Sequence, residues 1–283
     1  MEIVRYVIYA EERVNETIRI VPFGDFHVGN INCDKEKLEE VAKWIASTPK
    51  TFWIGMGDYL DSIIPFDESR FDEKTIDPDF TVWKTDGKRK WRETSIDAAY
   101  NYIYNLLKPI RNKCIGLHAG NHEEELRRRT GHDYVTQLCR ELEVNYLGIQ
   151  AYIWLSFEKG RSKSPGTAKF TILSQHGSYG GDEMGGAINR LSKVARQWEA
   201  DIYLMGHTHF VHGWRDVYKA LERVRGKLFL SERKKVYALT GGFLKAYKEG
   251  TTSYLEKKGK LERKTGIVSI IINPVRRDIH VME

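Results

Sequence analysis

Short apolar runs and helical patterns alternate along this chain, and five of the apolar runs end in a polar turn. These five runs cover residues 18–23, 51–56, 114–117, 170–173 and 202–205. Runs of four to six apolar or β-branched residues bounded by glycine or charged residues are typical of buried strands. We therefore expect five strand ends, and the turns that follow them, to converge on one rim of a buried sheet.

Apolar residues spaced by three and four positions predict helices between these strands, near residues 34–47, 92–107, 133–142 and 187–199. Asp34 and Asp133 are expected N-caps, and Pro49 and Pro109 fall just past helix ends. Beyond residue 209 the pattern becomes β-rich, with strands expected at 227–230, 235–240, 267–272 and 278–282. A β-sandwich with helices on both outer faces accounts for this order of elements.

The five polar turns hold a concentrated set of metal-ligand side chains. In chain order they are Asp25-Phe26-His27, Gly57-Asp58-Tyr59-Leu60-Asp61, Gly120-Asn121-His122-Glu123, Gln175-His176-Gly177 and Gly206-His207-Thr208-His209. Carboxylates, an amide and imidazoles together make the ligand inventory of a two-metal hydrolytic centre. Glycine beside these residues lets the backbone turn sharply and approach a bound group closely.

The five turns resemble the motifs of the calcineurin-like metallophosphoesterase superfamily, which read D-x-H, G-D-x-x-D/E, G-N-H-D/E, H and G-H-x-H. All five are present in family order between residues 25 and 209. The resemblance implies an α/β fold of four layers, α-β-β-α, with two central mixed sheets. It also implies an enzyme, a metal-dependent phosphoric ester hydrolase.

The resemblance implies a role for each motif residue. The implied metal ligands are Asp25, His27 and His209 for one ion, Asn121, His176 and His207 for a second, and Asp58 as the bridge. His122 would face the substrate and protonate the leaving oxygen as general acid. Glu123 stands where many relatives have Asp and is expected to orient His122, while Asp61 is expected to support a ligand rather than to bind metal.

Elementary chemistry favours the same interpretation. Two divalent ions, two carboxylate ligands and a bridging hydroxide leave about one positive charge, which suits an anionic phosphate ester. Nitrogen and oxygen ligands without a thiolate favour Mn, Fe, Zn, Co or Ni, and of these we expect Mn.

The expected function is a phosphodiesterase or nuclease that acts on nucleotides or nucleic acid by attack of a metal-activated hydroxide. A phosphomonoesterase, a protein phosphatase and a non-catalytic binding scaffold of the same fold are the alternatives.

Two further segments are candidate substrate contacts. Residues 177–186 are dense in glycine and open a helical pattern, so backbone N–H groups at Gly180 and Gly181 are expected to hold a phosphate, with a flexible connector as the alternative. Arg127 and Arg128 lie one helical turn beyond His122 and are candidates for steering an anionic substrate. A solvated helix face, balanced by neighbouring glutamates, is the alternative for these arginines.

Length and composition fit one domain over residues 1–283 with two elaborations, at 65–91 and 214–263. The first is rich in aromatic residues, whose rings either stack on a base or pack onto the body. The second is basic and reads either as a solvated hairpin or as a nucleic-acid contact. A net charge of +6 favours polyanionic partners.

The chain shows no secretory signal pattern and no apolar run of the roughly 18 residues that would span a membrane, so no membrane partner is expected. Three widely spaced cysteines, Cys33, Cys114 and Cys139, favour a reducing, cytoplasmic setting. Nothing in the pattern determines the oligomeric state.

Overall fold

The computed structural model describes residues 1–10, 16–62, 71–159, 168–224, 226–247, 249, 256, 259 and 262–283. The strands are β1 Glu2–Ala10, β2 Ile18–Phe23, β3 Thr51–Gly55, β4 Thr81–Thr85, β5 Lys90–Thr94, β6 Cys114–His118, β7 Tyr146–Gly148, β8 Gln150–Lys159, β9 Ala168–Gln175, β10 Ile202–Met205, β11 Val211–Val224, β12 Lys227–Gly242, β13 Gly266–Ile267, β14 Ser269–Asn273 and β15 Asp278–Met282. The α-helices are α1 Lys35–Ser47, α2 Ile96–Leu107, α3 Asn121–Thr130, α4 Tyr134–Leu142 and α5 Met184–Gln197, and 3₁₀ turns cover Glu73–Thr75, Pro78–Phe80 and Lys108–Lys113.

The strands form two mixed sheets and one separate hairpin. One sheet has the order β15-β14-β2-β3-β6-β7, in which β2, β3, β6 and β7 run parallel. The other has the order β1-β8-β9-β10-β12-β11, with β13 beside β12, and β9, β10 and β12 run parallel. The hairpin of β4 and β5 stands apart from both sheets.

Three apolar clusters bind these layers together. The middle cluster contains residues from both sheets, such as Ile54 of β3 and Ile153 of β8, so it fills the space between the sheets. A second cluster packs α1, α2 and α4 on the outer face of the first sheet, and a third packs α5 on the outer face of the second. The molecule therefore has the expected four-layer α-β-β-α architecture with two central mixed sheets.

The five predicted strands that precede the polar turns are all present, with ends shifted by one or two residues at most places. The helix expected at 92–107 is wrong at its start, because residues 92–94 belong to β5 and Ser95 caps the helix by accepting from Ala98 N–H. The strands expected at 227–230 and 235–240 are one continuous strand, β12. The strand expected at 267–272 is two strands, β13 and β14, and patterning missed β1, β4, β5, β7, β8, β11 and α3.

The two predicted elaborations differ in the structure. In the described part of segment 65–91, Phe80 is buried against the Tyr102 ring, as packing onto the body requires, whereas Trp83 is largely exposed with Lys90 and Arg92 over its ring. Phe66 lies outside the described residues. The basic segment 214–263 contains the long β11–β12 hairpin.

Candidate metal centre

The five polar turns meet at one edge of the molecule. The first sheet contributes Asp25 after β2, Asp58 after β3 and Asn121 after β6, and the second contributes His176 after β9 and His207 after β10. Because these strands are parallel within each sheet, their carboxyl ends lie side by side. The expectation that the turns converge is confirmed for the described residues.

Potential ligand atoms in these turns fall into three overlapping groups within 4.8 Å of one another: Asp25, His27 and His209; His27, Asp58 and His122; and Asp58, His176 and His207. The first and third groups agree with the two ligand sets that the motifs imply, and Asn121 Oδ1 lies 3.0 Å from Nε2 of His176 in the third. The middle group brings His122 to the same point. Asp58 occurs in two of the three groups, as the bridging role that the motifs imply would require.

In the first group, two imidazole nitrogens point at each other. Nε2 of His27 lies 3.2 Å from Nε2 of His209, and Oδ1 of Asp25 lies 3.6 Å from that His209 nitrogen. Asp25 is fully buried and also accepts the His207 N–H at 3.0 Å, which fixes the carboxylate against the last turn. Converging nitrogen and oxygen lone pairs at this spacing suit a borderline divalent cation.

In the second group, His176 is held by its outer nitrogen. Nδ1 lies 2.7 Å from the Met56 carbonyl oxygen and donates to it, so Nε2 is the nitrogen that faces the site. That Nε2 lies 3.0 Å from Asn121 Oδ1 and 3.3 Å from Asp58 Oδ2. A backbone carbonyl that fixes the tautomer of an imidazole is the usual support of a metal-binding histidine.

His207 provides a test of whether the site fits a metal. Its Nδ1 atom is buried and has no hydrogen-bond partner among the described residues. A buried imidazole nitrogen without a partner is costly unless a ligand satisfies it. His207 lies in one ligand group with Asp58 and His176, so a buried nitrogen without a partner on this ring fits the ligand role that the motif implies.

The backbone at these turns adopts an uncommon conformation. Five of the motif residues have positive φ between 50° and 65°, namely Asp25, His27, Asp58, His207 and His209. Non-glycine residues reach this left-handed region at a cost of order 1–3 kcal/mol each, so the surrounding contacts must hold them there. Such strain concentrates at functional sites.

Glycine allows two of the turns to touch. A Cβ atom at Gly120 would lie 2.0 Å from Asp58 Oδ1, so only glycine permits the helix start to approach this carboxylate. The N–H of His122 then donates to Asp58 Oδ1 at 2.9 Å. Asp58 thus lies at the positive end of α3, which favours its ionised form.

Glu123 has a different environment from the one expected. Its carboxylate is buried and accepts backbone N–H groups of Asp58 at 3.0 Å, Leu60 at 2.9 Å and Gly120 at 2.9 Å. Both oxygens are therefore engaged with the backbone of the second and third turns. The expectation that Glu123 orients the His122 ring is corrected to a role in holding these turns together.

Asp61 is the carboxylate that the structure places beside His122. Its Oδ1 lies 3.4 Å from His122 Nδ1 and 3.5 Å from His27 Nδ1, and its Oδ2 accepts from the Asn30 side chain at 2.8 Å. The His122 and His27 rings meet edge to face, 4.7 Å apart. Asp61 supports a ligand and His122 together, and Asn30, which lies in none of the motifs, holds Asp61.

The electrostatics of the cluster favour positive charge between the carboxylates. Burial alone would lower the pKa of His176, but the neighbouring Asp58 carboxylate raises it to about 10. Burial alone would also lower the pKa of His27, but the neighbouring Asp61 and Asp58 carboxylates raise it to about 9. Burial, countered by the charge on His176, raises the pKa of Asp25 to about 7. A proton on these groups occupies the position that a metal cation would take.

None of the described contacts joins the candidate substrate-binding residues to the metal centre. Arg127 pairs with Glu124 at 2.9 Å and Arg128 with Glu125 at 3.0 Å, all on the surface of α3. Gly180 is exposed, with open space where a Cβ would be, and Gly181 lies against the Tyr179 ring. Phosphate binding by these four residues remains a prediction.

The four histidines outside the motifs have ordinary partners. His118 is fully buried, with Nδ1 2.9 Å from the Gly148 carbonyl and Nε2 2.8 Å from Ser174 Oγ, and burial lowers its pKa to about 3. His132, His212 and His280 contact Gln137, Glu283 and Asp278. The three cysteines are free and buried.

Two mixed sheets enclosed by helices, with the five polar turns at one edge, give the four-layer α-β-β-α architecture. This architecture agrees with the fold that the motif resemblance implies. Arg263, which the motif analysis did not single out, also reaches this edge, because its guanidinium donates to the Thr208 carbonyl oxygen. Among the described residues, no helix is both long and apolar enough to cross a membrane.

No family model and no curated protein matches the sequence. Among solved structures, the chain is similar to a predicted phosphoesterase from Streptococcus pneumoniae, with 14% identity, coverage of 91% of this chain and 84% of that one, and a TM-score of 0.36. It is also similar to vacuolar protein sorting 29 from Cryptosporidium parvum, with 13% identity, coverage of 94% and 97%, and a TM-score of 0.37. For NAD nucleotidase from Haemophilus influenzae the identity is 10%, the coverage 95% and 49%, and the TM-score 0.38.

Proposed function

We propose that this protein is a metal-dependent phosphoesterase that hydrolyses phosphodiesters in nucleotides or nucleic acid. One observation carries the proposal, which is the convergence of Asp25, His27, Asp58, His176, His207 and His209 on adjacent ligand positions at one edge of the two sheets. The residues fit two divalent transition-metal ions with Asp58 between them. Mn is the metal we expect.

The metal centre supplies the electrophilic part of the chemistry. Two divalent ions held here would lower the pKa of a shared water and neutralise phosphoryl oxygens. The chain contributes the geometry, because buried carboxylates and tautomer-fixed imidazoles keep the ligand atoms in place without reorganisation.

His122 is the proposed general acid. Its side chain is largely buried beside His27 and Asp58, and the Asp61 carboxylate 3.4 Å from Nδ1 leaves Nε2 to face the substrate. A proton on Nε2 would pass to the leaving oxygen as the P–O bond breaks. An alkoxide leaving group such as a ribose oxygen needs this proton, whereas an activated phenolate does not.

The preference for a diester rests on this acid and on charge. A net charge of +6 favours association with polyanionic substrates, and it acts through the long-range field rather than through one contact.

A substrate panel tests the proposal directly. Metal-free protein, prepared with a chelator, is reloaded with Mn²⁺ and assayed on bis-p-nitrophenyl phosphate, p-nitrophenyl phosphate, a dinucleotide and single-stranded oligonucleotides. We expect diester cleavage that depends on the metal and exceeds monoester cleavage. Metal-dependent cleavage of the monoester alone would show that the protein is a phosphomonoesterase and not a phosphodiesterase.

The matched control is Asp58→Asn, which keeps the size of the bridging side chain and removes its charge. Activity that survives both chelation and this substitution would contradict a metal-dependent hydrolase.

A further inference from the structure

Arg263 reaches the metal centre from a distant part of the chain. It lies after the predicted elaboration's hairpin, in a described stretch that precedes β13, and its guanidinium Nη1 donates to the carbonyl oxygen of Thr208 at 2.5 Å. Only 12% of its side chain is exposed. Burying this much of a permanently charged group requires a specific partner.

The contact with the Thr208 carbonyl bears on the metal centre, because Thr208 lies between two candidate metal ligands in the sequence. His207 and His209 both have positive φ, at 65° and 56°. The Thr208 carbonyl belongs to the peptide group that leads into His209, so its direction is coupled to the left-handed backbone of His209 and to where that imidazole points. A charge-assisted hydrogen bond to this oxygen therefore acts directly on the backbone of His209 and, through Thr208, on the turn that also carries His207.

The remaining anchors of the turn act on its N–H groups. Both Asp25 oxygens lie 3.0 Å from the His207 N–H, and Gly206 N–H donates to the Gln175 carbonyl at 3.3 Å. Arg263 supplies a side-chain anchor on the acceptor side of the turn. Its guanidinium also lies over the Phe210 ring, with the carbon 4.3 Å from the ring centroid, which fixes the plane of the fork.

The nearest described carboxylate does not explain the position of the arginine. Asp182 Oδ1 is 3.9 Å from Nη2, beyond hydrogen-bond distance, and about half of the Asp182 side chain is exposed. The short contact to Thr208 and the stacking on Phe210 therefore determine where the guanidinium lies.

From this geometry we infer that Arg263 is a positioning residue of the metal centre, which holds the turn of His207 and His209 in its ligating conformation through the Thr208 carbonyl. The inference rests on the proposed metal-dependent function. It predicts that the affinity for divalent metal depends on a residue whose described hydrogen bond goes to a backbone carbonyl of the turn.

The test measures metal binding rather than catalysis. Metal-free protein is titrated with Co²⁺, followed by its visible absorption, for the wild type, Arg263→Met, Arg263→Lys and the control Arg233→Met. The control also removes a guanidinium bonded to one acceptor, Glu222, but in the β11–β12 hairpin. We expect Arg263→Met to weaken Co²⁺ binding about tenfold or more and to shift the absorption band, as loss of a supporting partner does. Arg263→Lys should recover part of the affinity, and Arg233→Met should leave it unchanged.

Co²⁺ affinity within twofold of the wild type for Arg263→Met, with an unchanged absorption band, would overturn the inference alone. A lower melting temperature of the metal-free variant with unchanged Co²⁺ affinity would also overturn it, because a purely structural role predicts that result. If Arg263→Met does not fold, Arg263→Gln is judged by the same twofold limit. A wild type that binds no Co²⁺ would overturn the metal centre itself and this inference with it.

Discussion

The edge of the molecule where the five polar turns meet, called the ligand edge, differs from the β11–β12 hairpin in which side chains it buries. At the ligand edge, charged and polar side chains are buried, with Asp25 0% and Asp58 1% exposed, and the backbone is strained. In the outer half of the hairpin, apolar side chains are exposed, with Leu221 at 67% and Leu230 at 74%, and charges pair across the strands in solvent. Residues at the first edge are each fixed by several partners, whereas those in the hairpin are fixed by few.

This difference indicates where substitutions should have large effects on stability and activity. A buried charge that loses its partner carries a desolvation cost, while an exposed ion pair is screened by water and contributes little. Substitutions at the ligand edge should therefore have large effects, and substitutions in the outer hairpin small ones.

Asp58→Asn should remove nearly all activity and at least one metal ion. The Asp58 carboxylate belongs to two of the three ligand groups, and an uncharged amide in the proposed bridging position would leave two cations exposed to each other. Elemental analysis of the purified variant, beside the wild type, checks the metal content. Two ions in the variant would show that Asp58 is not the bridge.

His122→Ala should slow hydrolysis of esters with alkoxide leaving groups by about 10²–10⁴-fold while metal content stays intact. Activated aryl esters leave without a proton and should lose much less. The ratio of the two rates is the measurement. An equal loss on both substrates with both metals retained would assign His122 to binding the phosphoryl oxygens.

Asp61→Asn offers a companion test, because it keeps the shape of the carboxylate beside His122 and His27 and removes its charge. We expect the same direction as for His122→Ala but a smaller loss on alkoxide esters. Its pH profile should also shift, since the charged partner of the His122 imidazole is gone.

Glu123→Ala should lower the free energy of unfolding by about 3 kcal/mol, because three buried N–H groups lose a charged acceptor. Denaturant unfolding of the metal-free protein measures it. Glu124→Ala is the matched control, as Glu124 is on the same helix and pairs with Arg127 at the surface. Equal effects of the two substitutions would contradict the role of Glu123 in holding the turns.

Metal affinity should rise with pH between about 6 and 9. In the metal-free protein the pKa of His27 is raised to about 9 and that of His176 to about 10, despite burial, by nearby carboxylates. Both groups therefore carry protons at neutral pH, and these must leave before the nitrogens can bind a metal, so lower pH opposes binding. Mn²⁺ titrations at several pH values check the sign, and an affinity that falls as pH rises would contradict it.

The smallest effect is expected in the hairpin. Lys219→Ala, which breaks the pair with Glu232, should leave the melting temperature and the metal affinity unchanged within error, because both side chains are largely exposed. Thermal unfolding and the Co²⁺ titration provide the two measurements. A clear loss of metal affinity would show that the hairpin and the ligand edge are coupled.

The sequence alone predicted the four-layer fold and the residues that converge at the ligand edge. Strands such as β2, β3 and β10 are short apolar runs, and each is followed at once by glycine and ligand side chains, so local order along the chain carries the signal. The Asp34 and Asp133 caps were equally readable, because a cap acts on residues two or three positions away.

Only the tertiary structure decided the roles of the supporting residues. The oxygens of Glu123 accept from residues as far as 65 positions away in sequence, Asp61 rather than Glu123 lies beside His122, and Arg263 meets the turn at Thr208 across 55 positions. Spacing along the chain identifies the candidate metal ligands, because each motif brings its own ligand side chains. It does not identify the hydrogen bonds that orient them, because those depend on which distant segments the two sheets bring within about 3 Å.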